Sequence, residues 1–142
     1  MKTGMDTEIR TGLLMEIRIE CGDAVSVRGG ENTIVMIPFT GSTDGPYFRG
    51  KTVGTGVDTQ RIGKDGQALL SARYMLEGTD AEGRACRVFI ENEGSERNGF
   101  TPRIVTDSPL LKEWETAELG ATVTGIPGGV LIRIFRKGAK KV

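Results

Sequence analysis

Residues 67–92 read QALLSARYMLEGTDAEGRACRVFIEN, two runs of strand-forming residues flanking a segment that holds Gly78, Asp80 and Gly83. Side chains alternate between the two faces of a strand, so a hairpin sorts them by parity. One face collects Leu70, Ala72, Tyr74, Leu76, Val88, Ile90 and Asn92. The other collects Leu69, Ser71, Arg73, Met75, Arg87, Phe89 and Glu91. The first set is the apolar one and is expected to face a core. A turn centred near Ala81 sets Tyr74 opposite Val88 and Arg73 opposite Phe89, with Glu91 diagonal to Arg73. Arg73 and Tyr74 therefore cannot point into the same cavity.

The same period of two recurs on both sides of this hairpin. In Leu13 to Glu20, Leu13, Met15, Ile17 and Ile19 alternate with Leu14, Glu16, Arg18 and Glu20, the pattern of a half-buried strand. Thr33 to Thr40 (TIVMIPFT) is a second β-rich run, in which Pro38 suggests an edge or a bulge. Tyr47 to Val57 is a weaker strand broken by Gly50, Gly54 and Gly56, and Phe100 to Thr106 is a further candidate. A second hairpin joins Ala121–Gly125 to Val130–Arg136 through a turn at Ile126-Pro127-Gly128-Gly129. Residues 107–119 suit a short helix or an irregular loop: Ser108 can cap, Pro109 fits the first helical position and Gly120 the exit. Leu110, Leu111, Trp114 and Leu119 would form its apolar side. Glycine, at 21 residues, is roughly twice its average share, as many tight turns require. The expected fold is all-β: an antiparallel up-and-down β-barrel of about 8–10 strands with at most one short helix. Closure is favoured over an open sheet because so many strands in one small domain would leave exposed edges.

The chain of 142 residues is expected to be a single domain, with a flexible N-terminal segment over 1–10 and a basic tail over 137–142. Lys plus Arg and Asp plus Glu number 19 each, so no net charge steers the protein toward nucleic acid. No apolar run approaches the ~20 residues that span a bilayer, and Met1 to Arg10 lacks an apolar signal core. Cys21 and Cys86 are the only cysteines; they read as thiols rather than a bridge, which fits a cytoplasmic protein. Histidine is absent, which removes Ser-His and Cys-His hydrolase mechanisms and the usual zinc sites. Neither a metal nor a cofactor is expected. Gly54-Thr55-Gly56 lacks the context and the lysine of a phosphate loop.

The order of motifs from Gly45 to Arg97 is distinctive: GPYFRGKTVGTGVDTQ, then DGQALLSARYMLEGTD, then VFIENEGSER. It resembles the family filed as domain of unknown function 3237. That family typically shows a Gly-rich segment ending in Asp-Trp-Gln, an Asp-Gly turn, Ala-Arg-Tyr in a strand, and an Asn-x-Gly step before an Arg. These appear here as Asp58-Thr59-Gln60, Asp65-Gly66, Ala72-Arg73-Tyr74, and Asn92-Glu93-Gly94 with Arg97. Phe100, Pro102, Trp114 and Leu131 to Arg136 look like later family positions. Thr59 stands where the family usually has Trp, so any aromatic wall that Trp provides is lost or comes from elsewhere. The resemblance implies a compact antiparallel barrel and small-molecule binding, and brings no settled activity.

Six residues are candidates for a ligand site: Asp58, Gln60, Arg73, Tyr74, Asn92 and Arg103. Asp58 and Gln60, two apart on a strand, project to one face, where a carboxylate and an amide can orient a ligand hydroxyl. The bland alternative is an Asp that bonds turn amides. Arg73 reads as an exposed partner of Glu91, or as an anion clamp if its face is the lumen. Tyr74 reads as core, or, with Asn92, as the polar end of an apolar pocket. Arg97 and Arg103 are placed at the barrel mouth. Three functions follow from these readings. The first is a binder of a small apolar or carboxylated metabolite. The second is a cofactor-independent isomerase, cyclase or lyase using Asp58 with Arg73 or Tyr74. The third is a structural homodimer built on an open amphipathic strand such as Leu13 to Glu20.

Overall fold

The computed structural model describes residues 12–138. The segment expected to be flexible, 1–10, and most of the basic tail lie outside the described residues. The elements run β1 (Leu13–Cys21), β2 (Val25–Arg28), β3 (Asn32–Asp44), β4 (Phe48–Thr52), β5 (Gly56–Gly63), β6 (Ala68–Asp80), β7 (Ala85–Ser95) and β8 (Gly99–Thr106). A 3₁₀ helix (Pro109–Glu115) follows, then β9 (Leu119–Ile126) and β10 (Gly129–Arg136). β1 pairs with β10 on one side and with β3 on the other, and this closes the sheet into an antiparallel eight-strand barrel. β4 and β5 share one place in the wall, both lying between β3 and β6. β2 runs beyond the end of β1 and pairs with Thr33–Met36.

The hairpin of β6 and β7 keeps its expected faces but not its expected register. Tyr74 stands opposite Ile90 and Arg73 opposite Glu91, two residues along β7 from the predicted partners. The cause is the turn. Asp80 N donates to Arg84 O and Gly83 N to Asp80 O, which centres the bend on Glu82. The Asp80 carboxylate fixes that bend by accepting from the amides of Glu82 and Arg84. A displacement of two residues preserves parity, so every side chain stays on its predicted face.

Other expectations are refined by local causes. A bulge between Leu13 and Met15 lets Leu14 turn inward along with Met15, Ile17 and Ile19. β1 pairs with β10 along Leu13–Glu20 and with β3 along Ile17–Cys21. Pro38 lies inside a long strand rather than at an edge: its carbonyl accepts from Gly22 N, in the gap between β1 and β2. Its missing N–H therefore falls where the ladder changes partner. The helix is 3₁₀, with three residues per turn, so Leu111 and Trp114 share the buried side while Leu110 is exposed. Leu119 and Gly120 belong to β9 instead. Ser108 caps the helix, accepting from Leu111 N and donating to Asp80 Oδ2 at 2.7 Å. Both cysteines are free; Cys86 is buried and Cys21 exposed.

The core is concentrated at one end of the barrel. Met15, Ile17, Phe48, Leu76, Val88 and Ile134 fill that end, and Leu111 and Trp114 of the 3₁₀ helix seal it, with Tyr47 edge-on to Trp114. Full burial of each such side chain contributes roughly 1.5–3 kcal/mol. The other end is not filled in this way. Among the described residues, no helix is long and apolar enough to cross a membrane.

Candidate functional site

Parity and register bring inward-facing residues to equal heights in the barrel, and three successive rows build the open end. In the lowest row, Tyr74 lies opposite Ile90, which lies opposite Ile104. Phe39 and Tyr74 meet edge to face there, with ring centroids 5.2 Å apart. Gly56 permits that contact, since a Cβ at this position would lie 2.6 Å from the Phe39 ring and 2.7 Å from Tyr74 Cβ. The next row holds Ile37, Asp58, Ala72, Asn92 and Pro102, each opposite its neighbour. Above it stand Gln60, Leu70, Gly94 and Phe100.

These upper rows enclose a chamber of about 210 Å³. Its walls are apolar, from Ile19, Ile37, Phe39, Leu70, Phe100 and Ile132 among others, and Asp58, Gln60 and Asn92 are polar points in them. A wider vestibule of about 470 Å³ lies against it, lined by Gln67, Ser95, Glu96 and Arg97 and sharing Gln60, Leu70, Phe100 and Val123 with the chamber. Surface grooves beside the β1 bulge (about 300 Å³) and beside the β6–β7 turn (about 290 Å³) are lined by other residues. None of those residues is among the ones with an unpaired buried side-chain atom.

Two polar side chains of the chamber carry buried oxygens without partners. Gln60 Nε2 donates to Asp58 Oδ2 at 3.0 Å, which orients the carboxyl and leaves Oδ1 buried without a hydrogen bond. Asn92, only 5% exposed, also carries a buried Oδ1 with no partner. Buried polar atoms are nearly always paired, and leaving one unpaired costs about 1–3 kcal/mol. Burial raises the Asp58 pKa above its ordinary value, and the Gln60 hydrogen bond offsets this in part. Among the described residues no cation lines the chamber to restore the charged form.

The remaining candidates are dispersed. Arg73 points outward and its Nε donates to Glu91 at 2.6 Å, so the lumenal clamp has no geometric basis. Arg103 is exposed on the same outer face, opposite Glu91, away from the chamber. Arg97 does reach the vestibule. Tyr74 lies one row below the chamber, 3% exposed, and its hydroxyl has no partner. Burial pushes its pKa well above the usual phenol value. Thr59, opposite Met36 and Ser71, lies on the outer face. An aromatic residue at that position would therefore cover the outside of the barrel and form no chamber wall.

Several chamber residues were not foreseen. Ile19, Cys21, Val123, Val130 and Ile132 come from β1, β9 and β10. Alternation marks most of them as inward, but their height relative to β5–β7 depends on how the barrel closes, which no local pattern encodes. Among the described residues no three His, Cys, Asp or Glu side chains come together as a metal site.

Fold and site together define the class: a small closed antiparallel barrel, packed solid at one end and chambered at the other. The chain belongs to the family described as Protein of unknown function (DUF3237), whose model matches residues 10–102. Solved structures share the fold. A protein with unknown function from Clostridium acetobutylicum is similar at TM-score 0.75 and 22% identity, over 87% of this chain and 93% of that one. A conserved protein of unknown function from Rhodopseudomonas palustris gives 0.74 and 20%, over 87% and 94%. A structure described as an enzyme from Penicillium herquei gives 0.71 and 15%, over 88% and 92%. No curated protein matches the chain.

Proposed function

We propose that this protein binds a small, largely apolar molecule carrying a hydrogen-bond donor in the open end of its barrel. One observation carries the reading: Asp58 and Asn92 each present a buried, unpaired oxygen at an apolar chamber of about 210 Å³. Apolar walls with a few convergent polar groups are the usual build of a ligand site. A hydroxyl donated to Asp58 Oδ1 or Asn92 Oδ1 would recover hydrogen bonds that the fold leaves unmade. A carboxylate inside the chamber would face Asp58 with no cation beside it. A carboxylated ligand therefore fits only with its acid group turned outward, toward Arg97 in the vestibule.

Calorimetric titration with para-cresol, a single ring bearing one hydroxyl, tests this. Wild-type protein is expected to bind it. Asn92→Leu, which replaces the amide with an apolar group, should weaken binding by about tenfold, equivalent to about 1.4 kcal/mol. Arg73→Ala should leave it unchanged. Absence of binding by the wild type, or binding indifferent to Asn92→Leu, would overturn the reading.

A second reading, cofactor-independent acid–base catalysis of the isomerase, cyclase or lyase kind, is supported by the raised Asp58 pKa. The Penicillium herquei neighbour described as an enzyme lends it fold-level analogy. Asp58 Oδ1 would take a proton from the bound molecule and return it to another atom of the same molecule. The side-chain N–H of Asn92, rather than Arg73, would donate to the oxygen on which charge develops. Tyr74 would support Phe39 from below. Asp58→Asn should then retain binding while abolishing turnover; retained turnover would exclude Asp58 as the base.

A further inference from the structure

The chamber and the vestibule meet at four shared residues, Gln60, Leu70, Phe100 and Val123. Two of them are held firmly. Gln60 is committed to Asp58 by its side-chain amide, and Leu70 lies in a strand paired on both sides, with Gln60 and with Gly94. Phe100 and Val123 sit on β8 and β9, which share one registered pair, Phe100 with Ala121. By contrast, β7 and β8 are paired continuously from Val88–Thr106 to Ser95–Gly99. The β8–β9 seam is therefore the lightly paired part of this wall, and Phe100 stands at its one registered pair.

The residue across from Phe100 on β7 is Gly94, so no side chain opposes the ring from that strand. Glycine is required there. Its φ is +151°, and a Cβ would lie 2.1 Å from the Gly99 carbonyl oxygen. Phe100 is thus a large apolar side chain at a lightly paired seam, beside a position restricted to hydrogen, with one cavity on either side.

We propose that Phe100 is the partition between the two cavities and sets the size of ligand the barrel accepts. This rests on the open end being the ligand site. A cavity of ~150 Å³ lined by apolar side chains holds benzene, so the inner chamber of about 210 Å³ accommodates one substituted ring with Phe100 in place. A ligand of two or more rings must extend into the vestibule, which requires the Phe100 ring to be turned aside or removed. The inner chamber selects by hydrogen bonding to Asp58 and Asn92, and Phe100 selects by bulk.

Two probes of different size separate this inference from the reading it rests on. Para-cresol fits the inner chamber; anilinonaphthalene sulfonate, a fluorescent three-ring molecule, does not. Wild type should bind para-cresol and bind the larger probe weakly. Phe100→Ala, and Phe100→Leu as the milder variant that keeps an apolar side chain, should bind the larger probe at least about tenfold more tightly. Excess para-cresol should displace it, and an unshifted cooperative melting transition identifies a folded variant. If wild type binds para-cresol but the two variants gain no affinity for the larger probe, the partition is refuted and the ligand site stands. The same holds if wild type already binds both probes equally well. If neither probe binds any of the three proteins, the ligand site itself is refuted, and the partition falls with it.

Discussion

Asn92 and Asp58 face inward from positions where a barrel built for stability alone would carry leucine or valine. Each leaves a buried oxygen unpaired, so each is expected to lower stability in exchange for a binding function. Asn92→Leu removes the unpaired amide and adds apolar volume beside an existing cavity. It should therefore raise stability by about 1 kcal/mol or more, read as a higher denaturation midpoint, while losing affinity for para-cresol. Asp58 adds a pH signature. Its pKa is raised in the folded state, so burying the carboxylate withdraws stability as pH rises from the ordinary value of 3.8 through the raised one. Asp58→Asn should be more stable than wild type at pH 7, and the gap should close on acidification as wild-type Asp58 takes up its proton. Melting curves across that interval check the sign; a variant less stable than wild type at pH 7 would contradict it. The outward direction of Arg73 follows from the same strand arithmetic that points Tyr74 inward, and both were legible in the sequence. The unpaired oxygens were not, since they depend on what stands opposite across three strands.

The 3₁₀ helix is tied to the β6–β7 turn through one contact. Ser108 Oγ donates to Asp80 Oδ2 while accepting from Leu111 N. That hydroxyl, with the amides of Arg84 and Glu82, holds the Asp80 carboxyl below the usual carboxylate range. The stability this confers is present above 3.8 and is lost as pH falls through the lowered folded value. Ser108→Ala removes a buried cap and should reduce stability by roughly 1–2 kcal/mol at neutral pH. It should also lose less on further acidification than wild type does, because less of the Asp80 term remains to be lost. The cap itself was readable from Ser108-Pro109, whereas its partner Asp80, 28 residues earlier, was not. The seam between β8 and β9 makes a second test at this level. With a single registered pair, their facing amides should exchange with solvent faster than the β6–β7 amides in native-state hydrogen exchange. Equal protection of the two regions would show that the seam is not weak.

The packed end and the chambered end of the barrel are expected to respond differently to substitution. Leu76, fully buried in the packed end, should lower stability by about 2–5 kcal/mol when truncated to Ala. Below the variant's melting range, para-cresol affinity should be unchanged. Alternation along each strand gave the class of fold, the two hairpins and the inward faces, because these are local consequences of period two. Barrel closure, the sharing of one wall position by β4 and β5, and the height at which β1 and β10 meet the chamber are set by long-range pairing. The turn chemistry around Asp80 illustrates the limit, for it moved the register by two residues without changing any face. The central claim is that the open end, and not the outer surface, receives the ligand. Its most direct test is a map of backbone amide shifts on adding para-cresol, residue by residue. The largest changes should fall at Asp58, Ala72, Asn92 and Phe100, with Leu76 and Ile134 unmoved. Shifts confined to the outer face around Arg73 and Val105, or no shifts at all, would contradict the account.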